Sequence, residues 1–61
     1  MANLTSKELS AIEDQLGQEQ LLIKKYKMVA NMATDPKIKT QCQQISERHQ
    51  QHFNTLMGHL N

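Results

Sequence analysis

The sequence has few of the features that usually stabilise a small domain. Aromatic residues make up 3% of its 61 residues, Tyr26 and Phe53 alone, and the single cysteine, Cys42, excludes a disulfide within the chain. A chain of this length buries only about 60% of the surface that it exposes when unfolded. Small domains compensate with disulfides, bound metal or self-association. Since a disulfide is excluded, we expect the protein to self-associate, with bound metal as a supplement.

Long apolar runs and a strong excess of one charge are also missing. No segment approaches the roughly 18 consecutive apolar residues that read as a bilayer span, and no basic-then-apolar leader opens the sequence. We therefore expect no membrane insertion and a cytoplasmic location, which also suits an unpaired cysteine. Seven basic and six acidic residues give a formal net charge of +1. This balance is unlike the basic footprint of a nucleic-acid-binding protein, so we expect no nucleic-acid partner.

Two long helices are predicted on either side of a short break. Thr5 and Glu8 have the spacing of a capping box, in which each side chain binds the backbone N–H of the other. Asp35 followed by Pro36 is typical of an N-cap and first residue of a new helix. We predict helix 1 over about 5–33 and helix 2 over about 36–60. The short connection makes them antiparallel neighbours, so residues 1–61 form a single all-α helical-hairpin domain.

The apolar pattern of both helices is wider than one neighbour requires. An inward stripe with steps of three and four residues runs along each helix, the spacing of helices packed nearly parallel to a partner. Its members are Leu9, Ile12, Leu16, Glu19, Ile23, Tyr26, Ala30 and Ala33 in helix 1, and Ile38, Cys42, Ile45, His49, His52, Leu56 and His59 in helix 2. Leu22, Val29, Phe53 and Leu60 widen these stripes. Helices with such faces normally have two neighbours, which predicts a homodimer that closes into a four-helix bundle.

Glu19, His49 and His52 interrupt the apolar stripes at one level of the hairpin. Buried charge is unfavourable unless it is paired, neutralised or bound to metal. Two interpretations remain open: a buried hydrogen-bonded network that fixes helix pairing, or a site for a transition metal such as zinc, iron or manganese. Glu47 is expected to be a surface charge. Cys42 lies a turn or more from the histidines, and two helices provide too little surface to enclose a substrate cleft. We therefore expect no catalytic residue and no enzyme activity.

Several segments resemble the small spore coat F-like proteins of clostridia and other endospore-forming Firmicutes, and the resemblance covers nearly the whole chain. The segments are Leu4-Thr5-Ser6-Lys7-Glu8-Leu9, Asp14-Gln15-Leu16, Glu19-Gln20-Leu21-Leu22, Lys25-Tyr26, Asp35-Pro36, Cys42 and His49-Gln50-Gln51-His52-Phe53. This family looks ferritin-like, and the spacing of Glu19 and Tyr26 resembles the first helix of rubrerythrin-type domains. The second helix departs from the Glu-x-x-His motif of di-metal carboxylate bundles, because position 49 is histidine.

The resemblance implies a non-enzymatic structural protein of the spore coat or the sporulating cell, without a cofactor, that self-assembles and docks with other coat proteins. The alternative is a metal-binding or redox protein of ferritin-like fold. Its ligands would be Glu19, His49 and His52 in the dimer core.

Overall fold

Helix α1 begins at the predicted capping box. In a computed structural model, which describes residues 4–60, the backbone N–H of Thr5 donates to Glu8 Oε1 at 3.0 Å, and the backbone N–H of Glu8 donates to Thr5 Oγ1 at 3.1 Å. These bonds satisfy two of the N–H groups that a helix start leaves without a partner. Helix α1 runs over Ser6–Met32.

The break between the helices has the predicted chemistry. Ala33 closes α1 in an extended conformation, with its N–H bonded to the carbonyl of Val29. Asp35 then caps the second helix, because its Oδ1 accepts the N–H of Lys37 at 2.8 Å. Helix α2 runs over Pro36–Gly58. Both helices end one or two residues inside the predicted limits of 5–33 and 36–60, a difference within the usual uncertainty of helix ends.

The two helices pack side by side as an antiparallel hairpin, and residues 4–60 contain no strand. This confirms the predicted all-α hairpin. The described part of the chain is a rod of 46 × 15 × 10 Å, and its length follows from the roughly 1.5 Å rise per residue of a helix. Residues 1–3 and 61 of the predicted 1–61 domain lie outside the described residues.

The seam between α1 and α2 is narrow and lined by small side chains. Ala30 and Cys42 are buried, as are Ile23 and Ser46. Ser46 Oγ donates to the carbonyl of Ile23 at a long 3.5 Å. Small side chains let the helix backbones approach, but they remove little apolar surface from water, and the hydrophobic contribution scales with that surface. The hairpin alone therefore has a small core.

The two broad faces of the hairpin differ in composition. The face that we call the polar face carries grooves between the two helices. Their exposed polar lining is Gln20, Lys24, Lys27 and Asn31 of α1 with Gln43, Glu47 and Gln50 of α2, and Phe53 and the seam residues Ile23, Ala30 and Ser46 line them as well. The opposite side we call the apolar face; at roughly 100° per residue it collects Leu22, Tyr26, Val29 and Ala33 of α1 with Ile38, Ile45, His52 and Leu56 of α2. A groove near the turn, lined by Val29, Ala33 and Ile38 among others, shows that the two halves of the apolar face meet there.

Neither helix is long and apolar enough to cross a lipid bilayer, as judged over the described residues.

Candidate functional site: a carboxylate with two histidines

Glu19 is the buried acid of the hairpin. It lies one turn before Ile23 on the seam of α1, and its side chain is 7% exposed. Gln15, one turn earlier on the same helix, donates from Nε2 to Glu19 Oε1 at 2.9 Å. The other oxygen, Oε2, points to α2, where His49 Nδ1 lies 2.7 Å away. Both carboxylate oxygens therefore have a partner, which a buried charge requires.

His49 connects the acid to the aromatic residue of α1. An ionised carboxylate only accepts hydrogen bonds, so the Nδ1 of His49 carries the proton in this contact with Glu19. The imidazole also stacks on the ring of Tyr26, with the centroids 6.1 Å apart and the planes 15° apart. With its side chain 21% exposed, His49 is held from two sides. Its orientation is therefore set by α1 and not only by its own helix.

His52 lies one turn beyond His49 and completes the cluster from the rim. Its Nδ1 is 3.6 Å from Glu19 Oε2, and its ring meets that of His49 edge-on with centroids 5.6 Å apart. Unlike the other two members, its side chain is 60% exposed. By its position on the helix His52 belongs to the apolar face of the hairpin, and this exposure means that a neighbouring molecule or solvent can reach it.

The surroundings of Glu19 favour its charged form. Burial by itself would raise the pKa of Glu19, since it removes water from the charge. The hydrogen bonds from His49 and Gln15, with the charges of His49 and His52, outweigh this effect and lower the pKa of Glu19 below its ordinary value of 4.5. The carboxylate is therefore ionised at neutral pH.

Glu19, His49 and His52 also have the arrangement of a potential metal site. Each residue offers one ligand atom, and these three atoms lie within 4.8 Å of one another. In a tetrahedral site with bonds of about 2.0 Å, ligand atoms are about 3.3 Å apart. The 3.6 Å between Glu19 and His52 is close to that spacing, whereas the 2.7 Å between Glu19 and His49 is the length of a charge-assisted hydrogen bond. The donor set fits zinc, iron or manganese in its chemistry, and in the hairpin Glu19 and His49 are joined directly by a hydrogen bond.

The structure thus brings together the three residues that interrupt the apolar stripes. It leaves Glu47 and His59 exposed and buries Cys42 in the seam one turn or more away from the histidines. Sequence reasoning missed Gln15 and Ser46. Gln15 was identifiable as the polar residue one helical turn before a buried acid. Ser46 was identifiable as the small residue one turn after Cys42. Neither signal is specific without knowledge of the partner helix.

Comparisons of the chain with protein-family models, with curated proteins and with solved structures find no match. The resemblance to spore coat F-like proteins therefore stays a prediction that rests on the residues quoted for it.

Proposed function

We propose that this protein is a non-enzymatic, self-assembling structural protein whose hairpin pairs with a second copy to form an antiparallel four-helix bundle. The observation that carries the proposal is the apolar face, which a single hairpin leaves open to water. On this face Val29 is 38% exposed and Ile38 is 46% exposed. A second hairpin laid against it would give each helix two neighbours, the arrangement that wide apolar faces favour.

The small seam supports the same proposal. Among the described residues, only Ile23, Ala30 and Cys42 are apolar and buried. At roughly 25 cal/mol per Å² of apolar surface, such a core offsets little of the conformational entropy that folding removes. Covering the apolar face would bury Leu22, Tyr26 and their neighbours as well. In this proposal, folding and dimerisation are coupled, so stability depends on protein concentration.

The Glu19 cluster has a positioning role in the proposed dimer. Tyr26 and His52 lie on the apolar face, so a two-fold pairing would bring a copy of the cluster from each hairpin to the interface. A polar group in an apolar interface favours the one register in which its partners are satisfied. Glu19, His49 and Gln15 already satisfy one another within the hairpin, which supports a structural network that sets register.

The biological setting of the proposal comes from the resemblance to spore coat F-like proteins. It assigns the protein to the spore coat or the cytoplasm of the sporulating cell, where a self-associating helical rod would dock with other coat proteins. Detection with an antibody in coat extracts of purified spores tests this assignment. A protein found only in vegetative cells contradicts it without affecting the dimer.

A pair of matched variants tests the dimer. Val29→Lys places a charge on the apolar face, and Asn31→Lys places the same charge on the polar face. In a two-fold interface each substitution counts twice, so we expect Val29→Lys to weaken dimerisation by about tenfold or more, equivalent to about 1.4 kcal/mol. Asn31→Lys should leave it unchanged. Sedimentation equilibrium measures both, and a wild-type protein that stays a well-folded monomer at high micromolar concentration contradicts the proposal.

A second candidate function is transition-metal binding, and the proximity of three ligand atoms from Glu19, His49 and His52 favours it. The exposed His52 would be the entry side, and a second hairpin would add ligands from its own cluster. Elemental analysis of the purified protein, with zinc titration monitored by a competing chromophoric chelator, tests this function. About one or more ions per dimer in wild type, lost in Glu19→Gln, would favour metal binding over the network, because a neutral amide is a poor ligand.

A further inference from the structure

The side of α1 that faces away from α2 carries an ordered stripe of exposed residues. They follow one another in alternating steps of four and three, the spacing of a helix face that packs along a second helix. We call this the outer stripe; its members are Ser10, Asp14, Gly17, Leu21, Lys24 and Met28, all exposed. Leu21 and Met28 are 66% and 58% exposed. They lie seven residues apart, so they recur at the same position of the outer stripe two helical turns apart.

The outer stripe lies apart from the apolar face and shares only Lys24 with the polar face, where Lys24 lines the edge of a groove. Leu21 precedes the buried Ile23 by two residues, and Met28 precedes the buried Ala30 by two residues. Two residues correspond to a rotation of roughly 200° about the helix axis, so both side chains point away from the seam. By the same count the stripe lies roughly 100° from Val29 on the apolar face. Pairing through the apolar face would therefore leave the outer stripe uncovered.

The stripe is complementary to itself in the antiparallel direction. Suppose that two antiparallel α1 helices pack through their outer stripes, with the two-fold axis at the level of residue 19 along each helix. The numbers of each pair of facing residues then add to 38. Asp14 then faces the partner's Lys24, Gly17 faces the partner's Leu21, and Ser10 faces the partner's Met28. Each acid meets a base and each small residue meets a large one, and every pair occurs twice by symmetry.

Gly17 provides the space that this pairing needs. A Cβ placed at Gly17 would meet no atom within 4 Å, so packing within the hairpin does not account for glycine there. Glycine is also a poor helix former. A close approach of a second helix, with Leu21 of that helix over the bare backbone, explains the position. Small residues at a crossing point let helix backbones come close together.

We propose that the outer stripe is an interface between two copies of this chain, formed by antiparallel pairing of their α1 helices. An anionic lipid surface fits the stripe less well. Lys24 would favour it, but Asp14 lies within the stripe and Glu13 beside it, and both acids would be repelled. The single acid and the single base of the stripe instead match the base and the acid of an identical stripe running the other way.

The consequence for assembly rests on the proposed dimer through the apolar face. A molecule with two different two-fold interfaces on different sides does not stop at a closed pair, unless its axes happen to generate a ring. Dimers joined by the apolar face would be linked to further dimers by their outer stripes. The result is an extended assembly, which is what a coat-forming structural protein requires.

A charge-swap experiment tests the outer stripe. At low salt, the mass of wild-type protein in sedimentation velocity should rise with concentration beyond two chains. Asp14→Lys, and separately Lys24→Asp, places like charges opposite each other and should hold the mass at two chains. The double variant Asp14→Lys/Lys24→Asp should restore the larger species, because the pairs are attractive again and the net charge equals that of wild type. Glu47→Lys on the polar face repeats the charge change of Asp14→Lys and should leave the mass as in wild type.

Two outcomes overturn the inference while leaving the dimer intact. One is a wild-type protein that stops at two chains, with no response to the stripe variants. The other is a double variant that fails to restore assembly. At concentrations where Val29→Lys no longer pairs through the apolar face, pairing through the stripe should still give two chains, and the loss of this two-chain species in Asp14→Lys/Val29→Lys shows that it forms through the stripe. If Val29→Lys yields only folded monomers, or if wild type binds phosphatidylglycerol vesicles without self-associating, the inference is wrong.

Discussion

The Glu19–His49 pair gives the sharpest test of whether the polar cluster is a structural network. Glu19 is nearly buried and accepts hydrogen bonds from Gln15 at 2.9 Å and from His49 at 2.7 Å. Glu19→Gln keeps the shape of the side chain, and His49 in its other tautomer can accept a hydrogen bond from the new amide. Both hydrogen bonds to the carboxylate become bonds to a neutral amide, so we expect a loss of about 1–2 kcal/mol in the free energy of unfolding.

The double substitution separates the network from a metal site. His49→Leu alone leaves the charge of Glu19 short of its main partner and should cost about 2–3 kcal/mol. Glu19→Leu/His49→Leu removes both polar groups from the seam, and well-packed apolar side chains often replace a buried pair without loss. We expect the double variant to unfold within about 1 kcal/mol of wild type or above it, with a favourable coupling of about 1.5–3 kcal/mol between Glu19 and His49 in the double-mutant cycle.

Urea unfolding monitored by circular dichroism at 222 nm measures the free energies of wild type, Glu19→Leu, His49→Leu and the double variant for the cycle, and that of Glu19→Gln in the same way. Protein concentration must be equal across the set, because a dimer gains stability by mass action. Each variant should be measured with and without a chelator. If the double variant loses more stability than the sum of its two single variants, or if the chelator alone reproduces the loss in Glu19→Gln, the network interpretation is wrong.

Three further predictions concern helix ends, pH and backbone. Thr5→Ala removes the acceptor for the Glu8 N–H and should cost about 1 kcal/mol in thermal or urea unfolding, whereas the same change at the exposed Thr40 should cost less. The pKa of Glu19 is lower in the folded protein than in the unfolded chain. The stabilising contribution of Glu19 is therefore complete above the unfolded value of 4.5 and is lost as pH falls through the folded value. Acid unfolding of wild type should show this loss of stability, and Glu19→Leu/His49→Leu should show less of it. Gly17→Ala should stabilise α1 by about 1 kcal/mol at concentrations where only the dimer is present, because an added Cβ meets no atom within 4 Å. Urea unfolding measures this gain, and an unchanged urea midpoint would show that the helix is already distorted at Gly17.

The helices and their ends were predictable because their causes are local. A capping box needs only Thr5 and Glu8 three residues apart, and both of its bonds are present. Asp35 and Pro36 act on the adjacent backbone in the same way. The period of the apolar residues then predicts which side of each helix is buried, and the short connection predicts that the helices are antiparallel. These statements depend on residues within one or two turns of each other.

The rotation of each helix about its own axis depended on the partner helix. The predicted stripe of α2 treated His49 and His52 as equal members, but the seam runs closer to Cys42, Ser46 and His49. His52 consequently lies at the rim with a side chain that is 60% exposed. A spacing of three and four residues cannot detect a rotation of the helix by a few tens of degrees, because the same residues fit two neighbouring stripes. Which of the two stripes faces α1 is decided by how closely the side chains of α1 and α2 can pack.

The pairing of Glu19 with the histidines was likewise predictable in part from the sequence and in part decided by the tertiary structure. The sequence alone determines that an acid on one helix and two imidazoles on the other come to one level, since the fold at Asp35–Pro36 sets the register. Only the tertiary structure decides that His49 binds Glu19 directly at 2.7 Å, that Gln15 holds the second oxygen, and that His52 stays 3.6 Å away. Hydrogen bonding depends on tenths of an ångström, and such distances follow from the packing of both helices together. Neither helix pattern contains that information by itself.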